Sequence, residues 1–315
     1  MSIFTGRTRW AVPVVGAAAI ITAGAWLLLR PASEIAIATC EGVGPHYVEL
    51  PGGAFLMGSN DFYPDERPIR QVEAPAISIR GTEVTNAEYA AFVEATGYLT
   101  VAERPAPETG EPGSAVFIAP GRDQPVRPLS WWHWVDGASW RAPEGPGSSI
   151  ETRMDHPVVH IAYEDAIAFA NWEGTRLPRE EEWEYAASAG GTTTVRPYRL
   201  EGGQEVPIAN TWQGFFPIFN QGDDGYIGSS PSGCFEANAF GVYDMIGNVW
   251  EWVETPDEAP VGTIKGGSFL CAPNYCMRYR PAAREAQETG LGTNHIGFRT
   301  IRKASNESWS MATWP

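Results

Sequence analysis

Only three stretches of this 315-residue chain carry the spacing and punctuation of a soluble helix; long segments rich in Gly, Pro and Asn separate and follow them. Thr85-Asn86-Ala87-Glu88 opens the first, with a threonine cap, a glutamate three residues on, and apolar residues at helical spacing to Val93. The second runs near Tyr163 to Trp172 and places Ala166, Phe169, Ala170 and Trp172 mainly towards one side. The third follows Leu177-Pro178, with Glu180, Glu181 and Glu182 in its first turn, where negative charge complements the helix dipole. That local task accounts for these glutamates without catalysis. Tyr47 to Ser59 alternates apolar and other residues around Pro51-Gly52-Gly53, which predicts a hairpin. A helical bundle is excluded, and there are neither heptads nor internal repeats. Thirteen Trp and 43% hydrophobic residues still supply one large core or two modest ones. Long irregular segments inside such a domain are usually functional or tied down by metal.

The N-terminus reads differently. Arg7 and Arg9 precede an uncharged run from Trp10 to Leu29, closed by Arg30. Its length at helical rise is about 30 Å, the thickness of a bilayer core, which predicts a transmembrane signal anchor over residues 10–29. A cleavable signal has a shorter apolar region and a prompt small-x-small site; here Ala36 and Ala38 lie well downstream, so cleavage is the second reading. The arginines favour residues 1–9 in the cytoplasm, giving a single-pass protein of the bacterial cytoplasmic membrane with its domain on the periplasmic or extracytoplasmic side. Residues 30–45 read as a linker, 46–303 as the domain and 304–315 as a C-terminal tail. A net charge of −16 argues against nucleic acid, whose phosphates would be repelled.

The chemistry concentrates in Gly266-Gly267-Ser268-Phe269-Leu270-Cys271-Ala272-Pro273-Asn274-Tyr275-Cys276-Met277-Arg278-Tyr279-Arg280. Two thiols this close form a disulfide, share a soft metal, or do redox chemistry together. Zinc is a poor fit, because it wants four ligands while Cys40 and Cys234 are isolated and the five histidines show no paired spacing. In an oxidising compartment a structural disulfide is the economical reading of the residues alone. Arg278 and Arg280 would help keep thiols ionised, or are ordinary ion-pair charge. Ser268 and Tyr275 are the nearest polar side chains. Cys40 and Cys234 have pairing with each other as an option, which sequence does not decide.

Several motifs together resemble the formylglycine-generating enzyme (sulfatase-modifying factor) family: Met57-Gly58-Ser59, Glu83-Val84-Thr85-Asn86, Ala138-Ser139-Trp140-Arg141-Ala142-Pro143-Glu144-Gly145-Pro146, Arg176-Leu177-Pro178, Gly247-Asn248-Val249-Trp250-Glu251-Trp252 and Gly297-Phe298-Arg299. The likeness runs from about His46 to Lys303. It implies an α+β fold: a single compact domain with little regular secondary structure, related to the C-type-lectin-like fold. It further implies that Cys271 and Cys276 bind Cu(I), and that O2 oxidises a substrate cysteine there to Cα-formylglycine. The substrate would be an unfolded or nascent sulfatase polypeptide carrying Cys-x-Pro-x-Arg, and the enzyme a monomer. Ser268, Trp250, Tyr275 and His295 take positions around the family's centre. Ser268 has a turn role as its plain alternative, Trp250 a core role, and His295 a hydrogen-bonded loop role. The resemblance also implies structural Ca2+ at Asn210, Thr211, Asp224 and Tyr226, and again at Asp244, Gly247, Val249 and Glu251, where carboxylates and loop carbonyls supply the oxygens calcium wants. Asp223, Asp224 and Asp244 are equally ordinary turn residues. Cysteines that staple some relatives are replaced here by Ala170, Pro281 and Thr300. The competing reading is a membrane-tethered accessory or binding protein on the same scaffold. A sulfoxide synthase is weaker, since nothing corresponds to its histidine-rich metal domain.

Overall fold

Strands β1 (Tyr47–Leu50), β2 (Gly53–Met57), β3 (Arg70–Ala74) and β4 (Ile77–Arg80) precede helix α1 (Asn86–Thr96), followed by β5 (Gly113–Phe117) and β6 (Trp132–Asp136). Helices α2 (Tyr163–Glu173) and α3 (Glu180–Ala187) come next, then the short strands β7 (Tyr198–Glu201), β8 (Gln204–Pro207), β9 (Gly214–Phe215) and β10 (Phe219–Asn220). The chain closes with β11 (Trp250–Trp252), β12 (Val261–Lys265), β13 (Arg284–Glu288), β14 (Ile296–Phe298) and β15 (Ile301–Lys303). This computed structural model describes residues 40, 42–107, 109–121, 124–191, 196–256 and 258–303. The anchor expected at 10–29 and the tail at 304–315 lie outside the described residues. Among the described residues no helix is long and apolar enough to cross a membrane.

The three helices follow their local signals. Thr85 caps α1 through a reciprocal box with Glu88, whose Oε2 accepts the Thr85 N–H at 2.9 Å, and Gly97 ends the helix at φ +69°. At α2 the Asp165 carboxylate accepts the Ala162 N–H at 2.9 Å. The glutamates of α3 do more than complement a dipole. Glu182 forks onto Arg176 and also accepts the Arg179 N–H at 2.7 Å. Glu184 and Glu180 hold the fully buried Lys265 ammonium at 2.9 and 3.4 Å.

The expected hairpin over Tyr47 to Ser59 is not formed. β1 pairs with β4 and β2 with β3, so the chain changes sheet at Pro51-Gly52. The opposing chain bends at Pro75-Ala76 directly beneath, and a Cβ on Gly52 (φ +72°) would lie 2.6 Å from Ala74 O. Alternation set each strand's faces, but pairing is decided by later segments, β4 for β1 and β3 for β2.

A sheet ordered β13-β12-β11-β14, with β11 and β14 parallel, carries the site, and a smaller sheet β1-β4-β15 lies on the same chain path. One guanidinium ties them together. Arg299, between β14 and β15, donates to both oxygens of Glu251 on β11 at 2.7 Å, and Glu251 also accepts the Trp183 indole N–H of α3 at 2.7 Å. Its remaining N–H groups reach the carbonyls of Arg80 and Tyr243 at 3.2 and 3.0 Å. Two further buried carboxyls, Glu83 and Asp244, sit in the same field; burial pushes both above the usual range, Asp244 to about 6. Finally, a disulfide joins Cys40 to Cys234, settling a pairing that sequence left open.

Arg299→Met keeps the bulk but strands the carboxylates, and is expected to cost about 3–5 kcal/mol in urea unfolding. Folded Glu83 and Asp244 hold protons that the unfolded chain has released, so their contribution falls as pH rises through about 6. The variant's deficit is therefore expected to be larger at pH 8 than at pH 5; equal deficits would contradict the shared field.

Candidate active site

Gly266 and Gly267 (φ +95° and +74°) turn the chain out of β12, and a Cβ on Gly267 would lie 2.9 Å from Tyr279 Cα. Only glycine lets residues 277–280 pass this closely. The Cys271 N–H then donates to Ser268 O at 2.8 Å, and those of Tyr275 and Cys276 to Ala272 O at 3.1 and 2.9 Å. These turns fold the Cys271–Cys276 spacing back on itself and bring both thiols to one cavity, where each shifts the other's proton affinity. Both are free thiols, so the disulfide reading of this pair is replaced by a dithiol.

The two are unlike. Cys271 is buried at the cavity floor, and that burial, with the bond to Cys276, pushes its thiol well above the usual range. Cys276 is half-buried and is drawn below the usual range, first by the hydrogen bond from Cys271, against the opposing effect of burial. The main-chain N–H of Arg278 assists at both sulfurs. Of the two, Cys276 is the thiol that ionises more readily.

The arginines act indirectly. Arg280 is buried in a forked pair with Glu66, Nη1 to Oε2 at 2.7 Å, and lies over the Phe62 ring at 3.7 Å. Arg278 pairs with Asp65 at 2.8 Å and Glu285 at 2.9 Å, over the Tyr63 ring at 4.1 Å. The Tyr63 hydroxyl accepts the Met277 N–H at 3.2 Å. Both side chains are therefore ion-pair charge, although Arg278 also favours the Cys276 thiolate from a distance.

A cavity of about 520 Å³ opens over the thiols, walled by Trp131, Trp132, Phe216, Trp250, Tyr275 and His295. The six residues expected around the centre, Ser268, Trp250, Cys271, Tyr275, Cys276 and His295, all line it. Tyr275 stacks on Phe216 at 4.6 Å and meets the edge of Trp131 at 5.1 Å. Ser268 is fully buried, and its hydroxyl accepts the Leu270 N–H at 3.2 Å, a turn contact. His295 shares a hydrogen bond with the Thr293 hydroxyl and packs against Trp132 at 4.8 Å; burial pushes its pKa down to about 3, so the ring is neutral. Trp131, Trp132 and Phe216 also wall the cavity; their one sequence signal is the pairing of aromatic residues at Trp131-Trp132 and Phe215-Phe216. Sequence reasoning missed the 62–66 segment, which has no local signature.

Among the described residues no set of three or more His, Cys, Asp or Glu is arranged to hold a metal. Two adjoining thiols suit a soft monovalent ion that wants few ligands and fail to suit zinc. The calcium positions are mixed. Asp224 accepts the N–H of Thr211 and of Tyr226, each at 3.0 Å, and the Gln213 amide at 2.6 Å; Asn210 donates to Gly228 O at 2.9 Å. That loop is closed by the protein's own donors. At the other position Glu251 is committed to Arg299 and Trp183, Asp244 accepts the Gly233 N–H at 2.5 Å, and Gly247 N–H donates to Gly266 O at 2.9 Å. Nearby Glu83 Oε2 is buried with no hydrogen-bond partner, an orphaned oxygen beside Asp244 that a cation would satisfy.

Comparison with known proteins follows the same residues. Positions 34–304 match the sulfatase-modifying factor enzyme 1-like domain. The formylglycine-generating enzyme of Mycobacterium tuberculosis is 48% identical over 292 residues, covering 81% of this chain and 96% of that protein. A mouse relative named inactive C-alpha-formylglycine-generating enzyme 2 is 35% identical, covering 89% and 91%. Among solved structures, PvdO from Pseudomonas aeruginosa superposes with a TM-score of 0.59 at 26% identity, covering 82% of this chain and 94% of that one.

Proposed function

This chain belongs to the sulfatase-modifying factor enzyme 1-like family, and on that footing we propose that it oxidises a cysteine of sulfatase-type Cys-x-Pro-x-Arg segments to Cα-formylglycine with O2. The observation that carries this reading is a pair of free thiols lining one open aromatic cavity. Cys271 and Cys276 would hold Cu(I), and the bound ion would supply the redox chemistry with O2 that thiols and a neutral imidazole lack. Turning a CH2–SH group into an aldehyde and H2S removes two electrons, so full reduction of O2 takes two more from an external thiol reductant. The domain would meet its substrate outside the cytoplasmic membrane while that polypeptide is still unfolded.

The chain's own residues prepare the site. In the metal-free site Cys276 ionises more readily than the buried Cys271, and holding Cu(I) would take the proton from both. Trp131, Trp250 and Phe216 exclude water from the reacting thiol. Tyr275, 48% exposed, offers a ring face and hydroxyl to an incoming peptide at the lip. His295 remains an uncharged hydrogen-bonding group oriented by Thr293. A non-catalytic role has precedent in a relative named inactive; the reduced pair beneath an open cavity favours chemistry.

Full-length protein in detergent, given Cu(I), O2, a thiol reductant and several Cys-x-Pro-x-Arg peptides, is expected to yield aldehyde detected by hydrazide capture and mass spectrometry. Cys271→Ser or Cys276→Ser is expected to lower the rate by more than about 100-fold, beyond what loss of a supporting contact gives. No conversion of any peptide would end the enzyme reading, and a fully active serine variant would move the site. Calcium at the Asp244 loop belongs to the same proposal as a structural element, while the Asp224 loop is held by its own hydrogen bonds. Chelation is expected to lower the melting temperature by several degrees, and an unchanged value would count against that ion.

A further inference from the structure

Residues 215–219 read Phe-Phe-Pro-Ile-Phe and form the tip of the β9–β10 hairpin, where Phe215 and Phe219 face each other across the strands. Phe216 turns inward onto Tyr275 at the lip of the thiol cavity. Phe215, Ile218 and Phe219 turn outward, 62%, 43% and 55% exposed. Ile118 and Ile227, 46% and 65% exposed, border the same surface cavity as Ile218 and Phe219. A contiguous group of large apolar side chains at the surface marks an interaction site rather than ordinary scatter.

The chain enters the described domain beside this patch. Cys40 is bonded to Cys234, and Cys234 Sγ lies 3.3 Å from the hydroxyl of Tyr226, the neighbour of Ile227. Leu29, the end of the uncharged run, is eleven residues before Cys40. A fully extended connection of that length reaches at most about 40 Å. Residues 213–228 contain no Lys or Arg and carry Asp223 and Asp224, so the patch is suited to apolar insertion rather than attraction to anionic headgroups.

We propose that Phe215, Ile218, Phe219 and Ile227 form a lipid-docking surface that rests in the interface of the bilayer holding residues 10–29. The inference rests on the reading of 10–29 as an anchor. Docking would set the mouth of the thiol cavity beside the membrane, because Phe216, on the same hairpin, is one of its walls.

The test uses the full chain in phosphatidylcholine vesicles, with photo-leucine in place of Phe219, or, as control, of Leu200, which is 65% exposed on the separate β7–β8 hairpin. After irradiation, mass spectrometry identifies adducts, and density-gradient flotation of the same samples reports the anchor. Lipid adducts several-fold more abundant at 219 than at 200, on protein that floats, are the expected result. Floating protein with no lipid excess at 219 overturns the docking surface. Adducts at 219 to a second polypeptide instead of lipid overturn it in favour of a protein contact. Protein that does not float overturns it as well, by removing the tether.

Discussion

The forked pair between Glu66 and Arg280 is the contact on which the candidate site most depends. It joins a single 3-10 turn near the start of the domain to the chain just past Cys276, with both charges out of solvent. Breaking such a pair from one side costs about 3–5 kcal/mol, because the abandoned charge stays buried. Its consequence is positional. Residues 277–280 are pressed against Gly267 on one side and against Phe62, Tyr63 and Asp65 on the other. With that strand of chain fixed, the Arg278 N–H is aimed at both sulfurs. An irregular loop thereby acquires the rigidity that a helix or strand would otherwise give.

Arg299 plays the matching part for the scaffold. Short strands bury little apolar surface each, so the sheets need something that crosses between them. A guanidinium that satisfies Glu251, two backbone carbonyls and, through Glu251, the indole of Trp183 supplies that crossing. Trp250 and Glu251 are adjacent on β11, so the same strand turns one side chain to the cavity and the next to this node. Scaffold and site are two faces of one three-residue strand.

What could be read from the sequence divides along the range of the interactions. The helices were legible because their signals are local: Thr85 with Glu88, apolar residues at helical spacing, and the acidic first turn of α3. Ser268, Tyr275, Trp250 and His295 were set near the thiols by the family motifs, and all four line the same cavity. The hairpin expected at Pro51-Gly52 failed because strand pairing is chosen by a distant partner. The roles of Arg278 and Arg280 were only half legible, since Asp65 and Glu66 lie more than two hundred residues earlier. The Cys40–Cys234 bond and the walls contributed by Trp131 and Phe216 were hidden for the same reason.

Cys271 and Cys276 form an asymmetric, reduced pair, with Cys276 the more open of the two. Iodoacetamide labelling of the metal-free chain without reductant, mapped by mass spectrometry across a pH series, reads this asymmetry. Labelling at Cys276 is expected to begin at lower pH than for an ordinary cysteine, with Cys271 resistant and Cys40 and Cys234 protected by their bond. No labelling of either Cys271 or Cys276 until a reductant is added, or Cys271 reacting first, would contradict it.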